Sequence, residues 1–249
     1  MSRITSRIQE CVVLLALALT GCGGNDVYQG LDAETLFRTA QTEFDEGEYD
    51  NSIAALERLM VSFQSSDRLP EGRFLLARSY FEKGEFITAR AEYQRFLDRY
   101  VGHASSPAAA LGICRSLSGL VPHPQRDQSY TRDAISACGN VIVDYAGTEE
   151  ATVAAGIRQQ MRETIAEKEY LNASGYLRRK QYDPAIIYFQ FVVDSYPETP
   201  FAPQALLGIY RANEAIGYDD LAEEARSRLL LEYPDSEAAA QLVADTSGV

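Results

Sequence analysis

The sequence predicts an all-α protein, an α-solenoid of five helix-turn-helix repeats, and three observations carry that prediction. A turn signature recurs, in which a glycine or its substitute is followed two residues on by an aromatic and five on by a small residue: Gly47/Tyr49/Ser52, Gly84/Phe86/Ala89 and Lys180/Tyr182/Ala185. An aromatic marker closes each unit at Phe63, Tyr100, Tyr145, Tyr196 and Tyr233, spaced 37, 45, 51 and 37 residues apart. Alternating apolar and polar runs, the mark of strands, are nearly absent.

The composition suits a buried core. Of 249 residues 46% are apolar and 24% charged, near the globular average, so disorder is excluded. The net charge of −13 argues against gripping a nucleic-acid backbone, which takes clustered Lys and Arg. At the start, Arg3 and Arg7 precede the apolar run Cys11 to Leu19, nine residues that are too few to span a bilayer core of about 30 Å as a helix. Residues 1–21 therefore read as a signal peptide. The run closes on Leu19-Thr20-Gly21-Cys22, which resembles the bacterial lipobox and implies cleavage before Cys22 and acylation of that cysteine, palmitate included. Several acyl chains make a stable anchor where one binds only reversibly. Gly23, rather than aspartate, follows the cysteine, and the resemblance then implies the periplasmic face of the outer membrane. Residues 22–31 form a short Gly-rich lipidated tether.

The repeats follow in order. The first spans 32–66, the second 67–103, the third 104–148, the fourth 149–199 and the fifth 200–236, with 237–249 as a capping segment or tail. First helices need a small residue where helices cross closely, and Ala40, Ala77, Gly112 and Ala173 supply it, with Tyr210 departing in the fifth. Second helices answer with Ser52, Ala89, Ala134, Ala185 and Ala222, followed by larger side chains such as Leu56, Leu59, Tyr93, Phe96, Phe189 and Val192. Small against large at fixed offsets lets stacked repeats bury a continuous core. In the fifth repeat Gly217 keeps the turn, although Asp219 replaces the aromatic. The third carries an insertion between its helices, Ser118 to Ser129, with Pro122, Pro124 and the run Gln125-Arg126-Asp127-Gln128. The fourth opens with a long helix, Glu149 to Arg179. Thr148, Thr199 and Ser236, each three residues past an aromatic marker, are placed to cap the next helix.

Catalytic and metal chemistry find few residues. Only Cys114 and Cys138 remain as thiols once Cys11 leaves with the signal and Cys22 takes lipid, and they read either as a bridge between neighbouring helices or as two buried free thiols. His103 and His123 both fall in loops, with no CxxC or HExxH spacing, so no metal and no cofactor is implied. The acid pairs Glu149/Glu150 and Glu223/Glu224 are adjacent in sequence and diverge by about 100° on a helix, so they cannot flank one substrate bond. No nucleophile-base set or phosphate loop appears, and the chain is not expected to be an enzyme.

The repeat pattern resembles the tetratricopeptide repeat, a unit of about 34 residues, lengthened here at each junction. The resemblance then narrows. A lipoprotein signal, five such repeats, the Arg126-Asp127-Gln128 stretch, the long IAEKEYLNASGYL helix from Ile165 to Leu177 and the endings Tyr196-Pro-Glu-Thr199 and Tyr233-Pro-Asp-Ser236 together resemble the BamD family. These are lipoprotein subunits of the outer-membrane β-barrel assembly machinery. The likeness covers nearly the whole chain after Cys22, although proline is missing after Phe63, Tyr100 and Tyr145.

By tetratricopeptide geometry Phe37, Gln41 and Phe44 in the first repeat, with Phe74, Arg78 and Phe81 in the second, face the concave side. An aromatic groove with an arginine suits an extended peptide bearing aromatic side chains and a terminal carboxylate. The family resemblance implies the sorting signal of unfolded outer-membrane barrel precursors in this N-terminal half. The alternative is that these rings are core, the usual fate of an aromatic stripe at helical spacing. For the C-terminal half the resemblance implies docking of the periplasmic domains of a BamA-like barrel-inserting subunit, with contacts to other assembly lipoproteins. Arg178, Arg179, Tyr182 and Arg211 are candidate contacts, as basic and aromatic residues at helix ends. Family members often carry a basic residue in the second helix of repeat four, where this chain reads Ile186-Ile187-Tyr188-Phe189. Arg126 and Asp127 either brace the inserted loop against the next repeat, touch the barrel partner, or form a solvated turn. The competing function is a periplasmic repeat lipoprotein that coordinates cell-wall synthesis or envelope constriction.

Overall fold

Short-range chemistry starts the first helix. The Asp32 carboxylate accepts the Thr35 backbone N–H at 2.7 Å, which opens α1 (Ala33–Asp45) and holds the Asp32 carboxyl below its usual range. Ten more helices follow in a computed structural model that describes residues 28–247: α2 (Tyr49–Ser62), α3 (Leu69–Glu82), α4 (Phe86–Arg99), α5 (Ser106–Gly119), α6 (Ser129–Asp144), α7 (Glu149–Arg178), α8 (Tyr182–Ser195), α9 (Phe201–Ile216), α10 (Asp219–Glu232) and α11 (Glu237–Ser247). No strand occurs among the described residues, and none of their helices is long and apolar enough to cross a membrane. The signal peptide and the lipidation position Cys22 lie outside the described residues.

The turn signature has a backbone cause. Gly47, Gly84 and Gly217 sit at φ +82°, +83° and +79°, in the left-handed region that lets a chain leave one helix and enter the next. Lys180 stands at the equivalent place with φ +57°, the one non-glycine at positive φ among the described residues. The chain divides into two compact units between Ser79 and Tyr80, inside α3.

In the first unit Leu36 and Ala40 of α1 are buried against a core that includes Ala55, Leu56 and Leu59 of α2. Gly72 lets α3 come down on Leu59, since a Cβ there would stand 2.9 Å from the Leu59 Cδ2. A buried polar contact joins α2 to α3, with the Ser52 and Ser79 hydroxyls 3.1 Å apart and Ser79 also donating to the Leu75 carbonyl.

In the second unit two glycines set the closest helix approaches. A Cβ on Gly112 would meet the Tyr93 ring at 2.5 Å, and one on Gly208 would meet the Phe189 ring at 2.5 Å. Each glycine follows its ring by 19 residues. The small residue of the fifth repeat is therefore Gly208, and Tyr210, half-buried with its hydroxyl donating to Glu214 at 2.6 Å, is not at a close crossing. The long helix α7 opens on Thr148, whose hydroxyl accepts the Ala151 N–H at 3.2 Å. Its first half packs Ala154 and Met161 with residues of α5 and α6, and its second half packs Ala166 and Ala173 with residues of α8 to α11. Ser236 caps α11 through the Ala239 N–H, whereas Thr199 turns its hydroxyl to the Tyr196 carbonyl and leaves the cap place of α9 to Pro200. The Cys114 and Cys138 alternatives resolve as a disulfide between α5 and α6, with Cα atoms 4.9 Å apart.

Candidate functional site

The first candidate surface grows from α1 and α3. On α1 the core is taken by Leu36 and Ala40, both fully buried, so the neighbouring face with Phe37, Gln41 and Phe44 is left half-buried to exposed. Arg68 reaches back to Glu34 with two hydrogen bonds, at 2.6 and 3.2 Å, and its guanidinium lies 5.4 Å from the Phe37 ring centre. Arg78 places its guanidinium 4.5 Å over Phe44, whose ring also meets Tyr49 in an edge-type contact at 5.5 Å. The arrangement is a cation held on an aromatic face, each partly open to solvent. Such a pair presents both a π-surface and exposed N–H donors to an incoming carboxylate.

The six residues named from sequence thus separate. Phe44 and Arg78 come together, Phe37 pairs with Arg68, and Gln41 is exposed between the two rings of α1. Phe74 is half-buried on α3. Phe81 belongs to the second unit, where its ring meets Phe86 at 5.4 Å. None of the four phenylalanines is among the fully buried side chains, so neither a wholly core stripe nor a wholly free groove describes them.

The second surface lies in the other unit, around the inserted segment 120–128 and the end of α7. Gln128 is fully buried, and its Nε2 donates to the carbonyls of His123, Pro124 and Arg126 at 3.0, 3.2 and 3.3 Å. Lys168 of α7 donates to the same Arg126 carbonyl at 3.0 Å. The loop is thus braced through its backbone, and the Arg126 side chain points outward, exposed. Asp127 accepts the backbone N–H of Ser129 at 3.0 Å and its hydroxyl as well, which tops α6 and lowers the Asp127 pKa.

At the end of α7, Arg178 is exposed, Arg179 stacks on Tyr176 at 5.0 Å, and Tyr182 begins α8 half-buried. Tyr176 in turn stacks on Tyr188 of α8 with 14° between the rings. Arg211 stands apart from that group. It is paired with Asp245 of α11 at 2.8 Å and lines a cleft of about 240 Å³ with Tyr170, Ser174, Gln204 and Gln241.

One arginine escaped the sequence reading. Arg162 on α7 bonds Glu198, donates to the Ser195 carbonyl at 2.6 Å and lies 4.9 Å over the Tyr196 ring. The hydrogen bond from Arg162 holds the Glu198 carboxyl below its usual range. The sequence carries Glu198 in the Tyr196-Pro-Glu-Thr199 ending, and the pairing anchors the long helix to the turn after α8.

Against known proteins, the YfiO family, described as an outer membrane lipoprotein, matches residues 30–229. The chain is 24% identical over 227 residues to the outer membrane protein assembly factor BamD of Caulobacter vibrioides, covering 89% of this chain and 74% of that protein. It is also 24% identical over 247 residues to the BamD of Xylella fastidiosa, covering 92% of this chain and 84% of the relative. Among solved structures, a thermophilic tetratricopeptide-repeat protein of Thermus thermophilus is similar at a TM-score of 0.35 and 13% identity, over 86% of this chain and 98% of that one.

Proposed function

The chain belongs to the YfiO family of outer membrane lipoproteins, and from that premise we propose that it is a non-enzymatic scaffold of outer-membrane β-barrel assembly, tethered by lipid on Cys22. The observation that carries the reading is the family match from residue 30 to residue 229, which takes in helices of both units. The names of the relatives, outer membrane protein assembly factors, support the process. The disulfide supports the compartment, since such bonds persist where the surroundings are oxidising.

Within this proposal each unit has its own task. Phe44 and Arg78, with Phe37, Gln41 and Phe74 of the same unit, receive the aromatic C-terminal segment of an unfolded barrel precursor: the ring stacks and the guanidinium pairs with the carboxylate. Arg126, Asp127, Arg178, Arg179, Tyr182 and Arg211 contribute to docking a BamA-like barrel-inserting subunit. Arg211 is the least available of these, because Asp245 already neutralises it. With Ile187 exposed within the Ile186-Ile187-Tyr188-Phe189 stretch, where relatives are expected to carry a base, this docking relies more on apolar contact than on a charge pair.

The test is a pull-down of the intact lipoprotein in mild detergent from its native envelope, with mass spectrometry of what accompanies it. A barrel protein with repeated periplasmic domains, recovered near stoichiometry, is the expected result. Cell-wall synthases or division proteins in its place would replace this reading with the coordination of envelope growth. The anchor is tested separately: Cys22→Ser should abolish incorporation of labelled palmitate and release the protein from the membrane fraction.

A further inference from the structure

Cys114 and Cys138 form a disulfide between α5 and α6, and neither residue exposes any surface. Their shell is apolar and comes from three helices. Leu111 of α5, Val141 of α6 and Ala154 of α7 are buried with them, and Val153 and Ile157 of α7 pack against that cluster. The first half of α7 is therefore part of the cover over the bond. Without α7, the two cysteines belong to a single helical hairpin, 24 residues apart in sequence, whose halves can meet before the rest of the chain arrives.

We propose that the chain is a substrate of thiol oxidation by a protein disulfide donor, and that this oxidation precedes the docking of α7. Exchange requires a donor sulfur to reach a cysteine sulfur directly, and the closed shell leaves no approach for one. One cysteine thiolate attacks the donor's disulfide, forming a mixed disulfide and releasing one donor thiol. The second cysteine thiolate then attacks the chain's sulfur in that mixed disulfide and expels the other donor thiol. Two electrons and two protons pass from the cysteine pair to the donor, which leaves as a dithiol.

The same burial makes the bond inert once α7 is in place, because a reductant meets the same closed shell. Its position also gives it a task. α5 and α6 are joined by the inserted segment, and the loop carbonyls are gripped by Gln128 at the start of α6 and by Lys168 on α7. A covalent tie between α5 and α6 holds the register on which those grips depend. The inference shares only its compartment with the anchored scaffold reading, and palmitate labelling at Cys22 tests that reading independently.

The experiment uses the full-length lipoprotein extracted from envelopes in mild detergent and a thiol-reactive polymer that adds visible mass. Protein from wild-type cells should take no label in denaturant until it is reduced, and then two labels. Protein from cells lacking their envelope thiol oxidant should take both without reduction. In refolding, the reduced chain should oxidise about tenfold or more faster when a disulfide donor is present from the start than when it is added after folding. Equal rates would overturn the order of events, and two free thiols in wild-type protein would overturn the oxidation itself. The double variant Cys114→Ala/Cys138→Ala should melt several degrees lower and exchange amide hydrogens faster over residues 120–128. Unchanged melting and unchanged exchange would reject the tie as a positioning device.

Discussion

At Gly208 a methyl group has nowhere to go, because the ring carbons of Phe189 stand 2.5 Å from where a Cβ would be. The ring is itself fully enclosed, so it cannot swing aside without opening its own contacts. Gly208→Ala should therefore cost about 1–3 kcal/mol, the range for overpacking a filled core, and thermal melting should read it as a drop of several degrees. Gly156, inside the N-terminal third of α7 with nothing within 4 Å of its Cβ position, supplies the opposite case. There the alanine should raise stability by about 0.5–1 kcal/mol, since it only removes backbone freedom from the unfolded chain. Both glycines sit inside helical patterns, Gly156 in α7 and Gly208 in α9, and nothing in either pattern tells them apart. That is also why Tyr210 looked like a lost small residue when Gly208, two positions earlier, makes the close approach.

Charge at the residue scale gives a pH prediction. The Arg162 hydrogen bond lowers the Glu198 pKa, so the folded state prefers the carboxylate more than the unfolded chain does. That contribution is complete above the unfolded value near 4.3 and is lost as pH falls through the lower folded value. Acid titration of Glu198→Gln should then show a shallower loss of stability in that window than the parent protein. An identical slope would mean that the ion pair contributes nothing measurable, the usual result for exposed pairs.

At the scale of helices and turns, Lys180 carries the clearest cost. It holds a left-handed conformation that glycine holds at Gly47, Gly84 and Gly217. Because a β-carbon costs about 1–2 kcal/mol there, Lys180→Gly should stabilise the protein by about 1 kcal/mol, measured by chemical denaturation. A destabilised variant would show that the lysine side chain earns its place through contacts of its own. Gln128 tests the inserted segment in the same way. Gln128→Leu would remove the buried donor shared by three carbonyls; the Arg126 carbonyl keeps Lys168 and the His123 carbonyl keeps the Arg126 N–H, so about 1–3 kcal/mol is at stake mainly at Pro124, and protease cleavage should appear within residues 120–128. Both the loop and the long helix were legible, since Pro122 and Pro124 interrupt one pattern and nothing interrupts the run from Glu149 to Arg178. The buried amide at Gln128 was not legible, because polarity in a loop ordinarily reads as exposure.

For the molecule as a whole, the proposed peptide surface and the core beneath it make separable predictions. Phe44→Leu with Arg78→Gln removes a half-exposed stacked pair and leaves Leu36 and Ala40 in place. It should weaken binding of an aromatic-ended barrel peptide severalfold, by titration, while melting changes little. Leu36→Ala should do the reverse to stability, losing about 2–5 kcal/mol as a fully buried side chain is cut back. If the pair variant melts as Leu36→Ala does, the rings are core and the groove reading fails.

The repeat count, the turn positions and the interrupted third repeat were written in the sequence itself. Each depends on interactions within a few residues: a left-handed turn needs glycine or a tolerated substitute, a prolyl ring stops a helix, and an unbroken helical pattern runs until a cap. The resemblance to assembly lipoproteins rested on the order of those local features, and the family match over residues 30–229 agrees with it. What only the tertiary structure decided were matters of pairing across helices. Cys114 finds Cys138, Arg162 finds Glu198 and Arg78 finds Phe44 because packing fixes which faces meet and how deeply each side chain lies. Helical periodicity places a residue on a face, but it carries no term for the neighbour that face will meet.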